Sequence, residues 1–192
     1  MTGTDQMTAM PHHGQFIPDP GAEGIGRGAI GMVASIAGGS GRILMDRAAL
    51  IAAEADPDPI VGQAGQVGAQ VKIRLGPVWL IGNVRSLRLE DGPLQGGAGT
   101  CVAADVDFLG EGDEERLTGK LYNFRRGVTR YPMPGAEVYP VTTADLQQIY
   151  AADDRAHFGI GTVYPTRDVR AALYVDPMLG KHFALVGSTG TG

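Results

Sequence analysis

From Ile30 onward the chain is written in short runs that alternate apolar and polar residues. The stretch QVKIRL sets Val71, Ile73 and Leu75 on one face and Lys72 and Arg74 on the other, the period-two signature of a half-buried strand. TCVAADVDFLGE repeats the pattern, with Val102, Ala104, Val106 and Phe108 facing in and Asp105 and Asp107 facing out. IGMVASIAGG is an apolar run closed by glycines, and RILMD continues it. PVWLIGNVRSLRLE reads as one long strand, in which Gly82 marks a bulge or a close approach of another group.

After the polar turn EGDEER, RLTGKLYNF starts a return strand with Leu117, Gly119 and Leu121 on one face, so the two segments form a hairpin by pattern. Pro132, Pro134 and Gly135 make a rigid turn into a strand around Val138. TTADLQQIYA has helical spacing instead: Thr142 or Thr143 can cap it, and Leu146, Ile149 and Tyr150 share a face. HFGIGTVY and RAALYVD return to strand patterns, and a turn from Asp176 to Gly180 leads into the last stretch. About seven short strands and one short helix between residues 30 and 175 predict a mainly β protein, a small closed barrel or a sandwich. Closure removes exposed sheet edges, which favours the barrel.

Composition narrows the picture. The 192 residues are 43% hydrophobic and 19% charged, enough for one domain with its own core plus a tail or the start of another. Thirty Gly and twelve Pro favour turns between short strands over long helices. A net charge of −5 gives no electrostatic footprint for nucleic acid across the whole chain. The single cysteine, Cys101, excludes an internal disulfide and a Cys-based zinc site; its alternating apolar neighbours point to a buried thiol. The run AIGMVASIA is far short of the ~20 residues that span a bilayer. With no signal-peptide pattern at the start, the cytoplasm is the expected compartment and no membrane partner is expected.

Residues 1–28, dense in Gly, Pro and Met and without apolar periodicity, read as a flexible leader. His12 and His13 are adjacent there but lack further ligands, and Gly24, Gly26 and Gly28 have dinucleotide-loop spacing with no strand before it. The acidic run Glu111, Asp113, Glu114 and Glu115 reads as a solvated hairpin tip. Arg125, Arg126 and Arg130 form a basic cluster that reads as a surface or subunit-interface feature, with a phosphate or DNA contact as the alternative. His157 and His182 sit before strand patterns and read as structural. No Ser/His/Asp order, paired-carboxylate spacing or metal-ligand spacing stands out.

The tail carries the most specific signal. HFALV is a five-residue apolar run of the kind a buried parallel strand uses, and GSTGTG follows it directly. Gly187 and Gly192 have the spacing of a phosphate-binding loop, in which glycines let backbone N–H groups close around phosphate oxygens. Taken with IGMVASIAGG, QVGAQVKIRL, LTGKLYNF, RRGVTRYPMPG, DLQQIY, HFGIGTV and DPMLGKHFALVGSTGTG, the chain resembles the N-terminal part of HerA-type ATPases, DNA-translocating motors related to FtsK. The resemblance covers nearly everything from Ile30 to Gly192.

That resemblance implies three parts: the leader at 1–28, a β-barrel assembly domain of the kind shared with ATP synthase subunits at 29–176, and the start of a RecA-like α/β ATPase domain at 177–192. It implies a homo-hexamer that binds ATP and Mg²⁺, moves DNA, and docks an accessory NurA-like nuclease or a defence effector, in DNA end processing or phage defence. Gly187, Ser188, Thr189, Gly190, Thr191 and Gly192 match the loop up to the residue before its Lys. ATP turnover is therefore not expected from these residues alone. The alternatives are a stand-alone β-barrel interaction module without ATPase activity and the barrel of an ATP-synthase-type rotary subunit.

Overall fold

The computed structural model describes residues 28–93 and 98–182, with Ala184 and Gly187. Strands β1 (Gly31–Ala37), β2 (Ser40–Met45), β3 (Gln70–Leu75), β4 (Val78–Pro93), β5 (Ala98–Glu114), β6 (Leu121–Arg126) and β7 (Glu137–Pro140) form one antiparallel sheet. Its order is β2-β1-β7-β3-β4-β5-β6, and β5 also pairs with β2. That extra pairing closes a six-stranded barrel and leaves β6 outside the ring. The mainly β, closed-barrel fold read from the alternation is thus the one found.

The closing seam runs from Ser40 opposite Asp107 to Met45 opposite Val102. Residues directly opposite on antiparallel strands share a face, and the interior is filled accordingly. Val33, Ile43, Met45, Val71, Ile73, Leu80, Val84, Ala104, Val106 and Val138 are all fully buried in one cluster. Gly82 plays both roles expected of it. The ladder shifts register between Ile81 and Gly82, and a Cβ on Gly82 would stand 2.2 Å from Val106 Cγ1, so no larger residue fits without displacing the core.

Both mouths of the barrel are covered. At one, Asp46 caps helix α1 (Arg47–Glu54) by accepting from the amides of Ala48 and Ala49 at 2.7 and 3.0 Å, and Ala49 and Leu50 pack against the core. The strand alternation gives no sign of α1: RAALIAAE is apolar without a break from Ala48 to Ala53, and no residue in it is fully buried. At the other mouth, residues 127–136 cross the barrel end. Val128 packs on the core, the amide of Gly127 donates to the Leu109 carbonyl at 3.1 Å, and that of Gly135 donates to Val33 at 2.7 Å.

Helix α2 (Thr143–Ile149) is the helix expected from its spacing, capped by Thr142 in a reciprocal box with Asp145. It lies on the outside of the barrel. A second cluster of Trp79, Ile81 and Leu121 therefore forms on the outer face, and a third of Ile60, Val141, Leu146 and Val169 lies beside it. β8 (His157–Thr162) and β9 (Arg170–Tyr174) make a separate two-stranded ribbon. Its connecting loop reaches the third cluster through Val163 and Val169.

Three sequence-based expectations are corrected. The strand β5 does not turn at Glu111; it stays paired with β4 as far as Asp113 opposite Val78, because Gly110 and Gly112 let β6 approach closely on its other side. Leu117 consequently lies in the turn, 93% exposed, while Leu121 is buried. Residues from Asp176 to Gly180 are not a simple turn, since α3 (Val175–Leu179) occupies them and Gly180 donates to the Asp176 carbonyl at 2.8 Å. With α1 and α3, the chain holds more than the one short helix predicted. In the HFALV segment, Phe183, Leu185 and Val186 lie outside the described residues, so a RecA-like strand there is not part of this fold description.

Candidate functional site

Of the six loop residues, only Gly187 is described, and it is exposed. Ser188, Thr189, Gly190, Thr191 and Gly192 lie outside the described residues, as do His12 and His13. His182 is exposed. His157 is exposed too; its Nδ1 lies 2.8 Å from the Arg155 carbonyl and its ring meets Tyr174 edge-on at 6.2 Å. Among the described residues, no three His, Cys, Asp or Glu gather as a metal site would require, and no helix is long and apolar enough to cross a membrane. Cys101 is buried, with its Sγ 3.4 Å from the Glu90 carbonyl.

The acidic and basic clusters meet, although not at a solvated tip. Glu111 sits opposite Leu80 on the inward face and is 1% exposed. Its carboxylate accepts from the Thr129 hydroxyl at 2.7 Å, from the Thr129 amide at 3.2 Å and from Arg125 Nη2 at 3.2 Å. The Thr129 hydroxyl first, then its amide and Arg125, hold this carboxyl below the usual glutamate range against the opposing effect of burial. Glu114 is likewise engaged, by Arg74 at 2.6 Å, and Asp113 accepts from Asn123 Nδ2 at 3.0 Å. Arg125 is thus spent inside its own chain, whereas Arg126 and Arg130 are exposed and make no ion pair among the described residues. Next to them, Tyr131 and Met133 are exposed at 53% and 77%.

On the outer face, β2, β4 and β5 share a polar network. Arg88 donates to Asp105 at 3.0 and 3.2 Å, and Ser86 adds a bond at 2.9 Å. The Arg88 bond first, then that of Ser86, pull the Asp105 carboxyl down to about 2. These pairs tie adjacent strands, which is a structural role.

Sequence alternation gives no hint of one further feature, because distant segments build it. A cavity of about 100 Å³ opens where the start of β3, α2 and the β8–β9 loop converge. Ile60, Leu146 and Val163 supply apolar walls, Gln70 and Tyr150 supply polar atoms, and Tyr164, 83% exposed, stands at the rim. Gln70 Nε2 donates to the Tyr150 hydroxyl at 3.3 Å. Gln70 Oε1 is buried without a partner, a condition rare in folded proteins. The apolar face expected for α2, with Leu146, Ile149 and Tyr150 together, is the one that reaches this region.

No protein-family model matches the chain, and no curated protein matches it. The functional reading therefore rests on the residues themselves and on the barrel.

Proposed function

We propose that this chain is the oligomerisation and partner-docking portion of a HerA-like, ATP-dependent hexameric DNA translocase. The observation that carries the reading is the closed six-stranded barrel, followed in sequence by a capped helix, a ribbon and a helix that lead to KHFALVGSTGTG. That order supports an assembly barrel placed ahead of a phosphate-binding loop. In this reading Gly187, Ser188, Thr189, Gly190, Thr191 and Gly192 supply backbone N–H groups to the phosphates of ATP. The Lys that contacts the β- and γ-phosphates and the Ser/Thr that helps hold Mg²⁺ would follow Gly192. Arg126, Arg130, Tyr131 and Met133 are exposed and in this reading meet a neighbouring subunit or a docked nuclease.

Two measurements test it. The 192-residue chain should bind Mg-ATP no more tightly than roughly millimolar, equivalent to about −4 kcal/mol, and show no turnover in calorimetry and phosphate-release assays. A chain extended by the residues encoded after Gly192 should form hexamers and hydrolyse ATP in a DNA-stimulated manner, and replacing the loop Lys by Ala should abolish turnover. A Lys and a Ser/Thr missing from the next two positions would overturn the reading. The barrel would then stand as an interaction module, which its complete core also suits.

A further inference from the structure

We propose that the exposed face of α1 pairs with the same face of a second copy of this chain, antiparallel and about a two-fold axis beside Ile51. On its inner side the helix packs Ala49 and Leu50 against the core. Its outer side carries Ala48, Ile51, Ala52 and Ala55, all exposed, Ile51 at 59%. A helix that is apolar all round is normally covered on every side.

The charges say what covers this one. Arg47 and Glu54 stand at the two ends of α1, nearly two turns apart, so both flank Ile51 on one side of the helix. Each is exposed and makes no ion pair among the described residues. Their placement also runs against their own helix. The helix dipole favours anions in the first turn and cations in the last, but α1 has no acidic residue in its first turn and no basic one in its last. An antiparallel copy reverses both relations at once. It sets Arg47 beside Glu54 of the second copy, at the C-terminal end of that copy's helix, where a cation is favoured. The two-fold axis repeats the arrangement at the other end. A parallel copy would instead set like charges together. The midpoint between Arg47 and Glu54 falls at Leu50 and Ile51, so Ile51 packs across the axis on its own counterpart, and Ala48 and Ala55 let the helices approach closely. Such a two-fold contact is closed and differs from a ring contact, so the inference stands apart from the ATPase reading.

By itself an eight-residue helix, about 12 Å long, buries less than the roughly 800 Å² per partner of a standard interface. The pair should be weak, with a Kd of about 0.1 mM. The test is sedimentation equilibrium of the 192-residue chain from micromolar to millimolar concentration, where a monomer–dimer equilibrium is expected. Arg47→Glu sets like charges together at both ends and should weaken the dimer by about tenfold or more. Glu54→Arg should do the same, and the double variant should restore it. All three variants agree with the helix dipole, so Tm should hold or rise. Ile51→Cys should give a disulfide-linked dimer on mild oxidation, because the axis brings the two positions within bridging range. Leu117→Cys, at the exposed β5–β6 turn, should not, and Cys101 is buried. A chain that stays monomeric at millimolar concentration overturns the proposal. So does a dimer that ignores both reversals, a double variant that is not rescued, or a dimer that Ile51→Cys does not cross-link. NMR contacts between Ile51 and residues 1–27 in a monomeric chain would show that the chain covers this face itself, and would exclude the second copy.

Discussion

Lys72 Nζ lies 2.9 Å from Asp145 Oδ2, and both side chains are buried. The pair joins β3 to α2 beneath Trp79, whose ring also faces the ammonium at 4.8 Å. The same carboxylate accepts from the Thr142 amide and hydroxyl at 2.9 Å each and from the Leu121 amide at 3.3 Å. One acidic side chain thus positions a helix, a strand and the entry to β6. Removing one partner of a buried pair leaves the other uncompensated. Asp145→Ala should cost about 3–5 kcal/mol in urea unfolding. Lys72→Met should cost less, because the carboxylate keeps its remaining donors. A loss below about 1 kcal/mol for Asp145→Ala would place the pair among weak surface bridges.

A second prediction concerns acid. The folded-state carboxyls of Glu111 and Asp105 both lie below their ordinary values, Asp105 at about 2. Stability from a depressed carboxyl is fully present above its unfolded value near 4 and is lost as pH falls through the folded value. Tm should therefore be nearly flat from pH 7 down to about 5 and drop between about 4 and 2. Glu111→Gln should lower Tm at pH 7 and make that drop shallower. An equally steep drop in the variant would remove Glu111 from the account.

Charge reversal should separate the three arginines. Arg125→Glu sets a negative charge against buried Glu111 and should destabilise the fold, with a loss visible in Tm. Arg126→Glu and Arg130→Glu should leave Tm within a few degrees. In the extended protein they should weaken ring assembly and change its salt dependence, because rim charges mainly tune association. Scattering at moderate and high salt measures this, and an oligomer mass unaffected by either reversal would exclude these arginines from the contact.

The bulge at Gly82 offers a coupled test. Gly82→Ala drives its new methyl into Val106 and should cost about 1–3 kcal/mol through overpacking. Val106→Ala opens space at the same point. The double variant should be less destabilised than the sum of the two single changes, a coupling that a double-mutant cycle reads directly. Additive losses would mean that the strands relax apart.

Much of the barrel was legible because its interior residues obey strand alternation: Val71, Ile73, Val106 and Val138 are all where period two puts them. The exceptions have separate causes. Lys72 and Trp79 point away from the barrel, as their register requires, yet are buried because α2 covers that face. Glu111 looked like part of a solvated tip because local charge density says nothing about where a ladder ends. Cys101 was read as buried, and is. The Gln70 cavity was invisible, since it joins β3, α2 and a loop nearly a hundred residues further on. The phosphate-loop residues other than Gly187 remain an expectation of sequence, outside the described fold.

The seam between β2 and β5 also has a kinetic consequence. β1 with β2 and β4 with β5 are neighbours in sequence, so each pair can form early by short loop closure. β2 must find β5 across about sixty residues, and this pairing should be among the last to form. Until it does, β5 offers a bare edge from Val102 to Asp107, and β2 from a second refolding chain has the right sequence to fill it. The contact that closes the six-stranded ring is thus the one through which two unfinished chains would exchange strands.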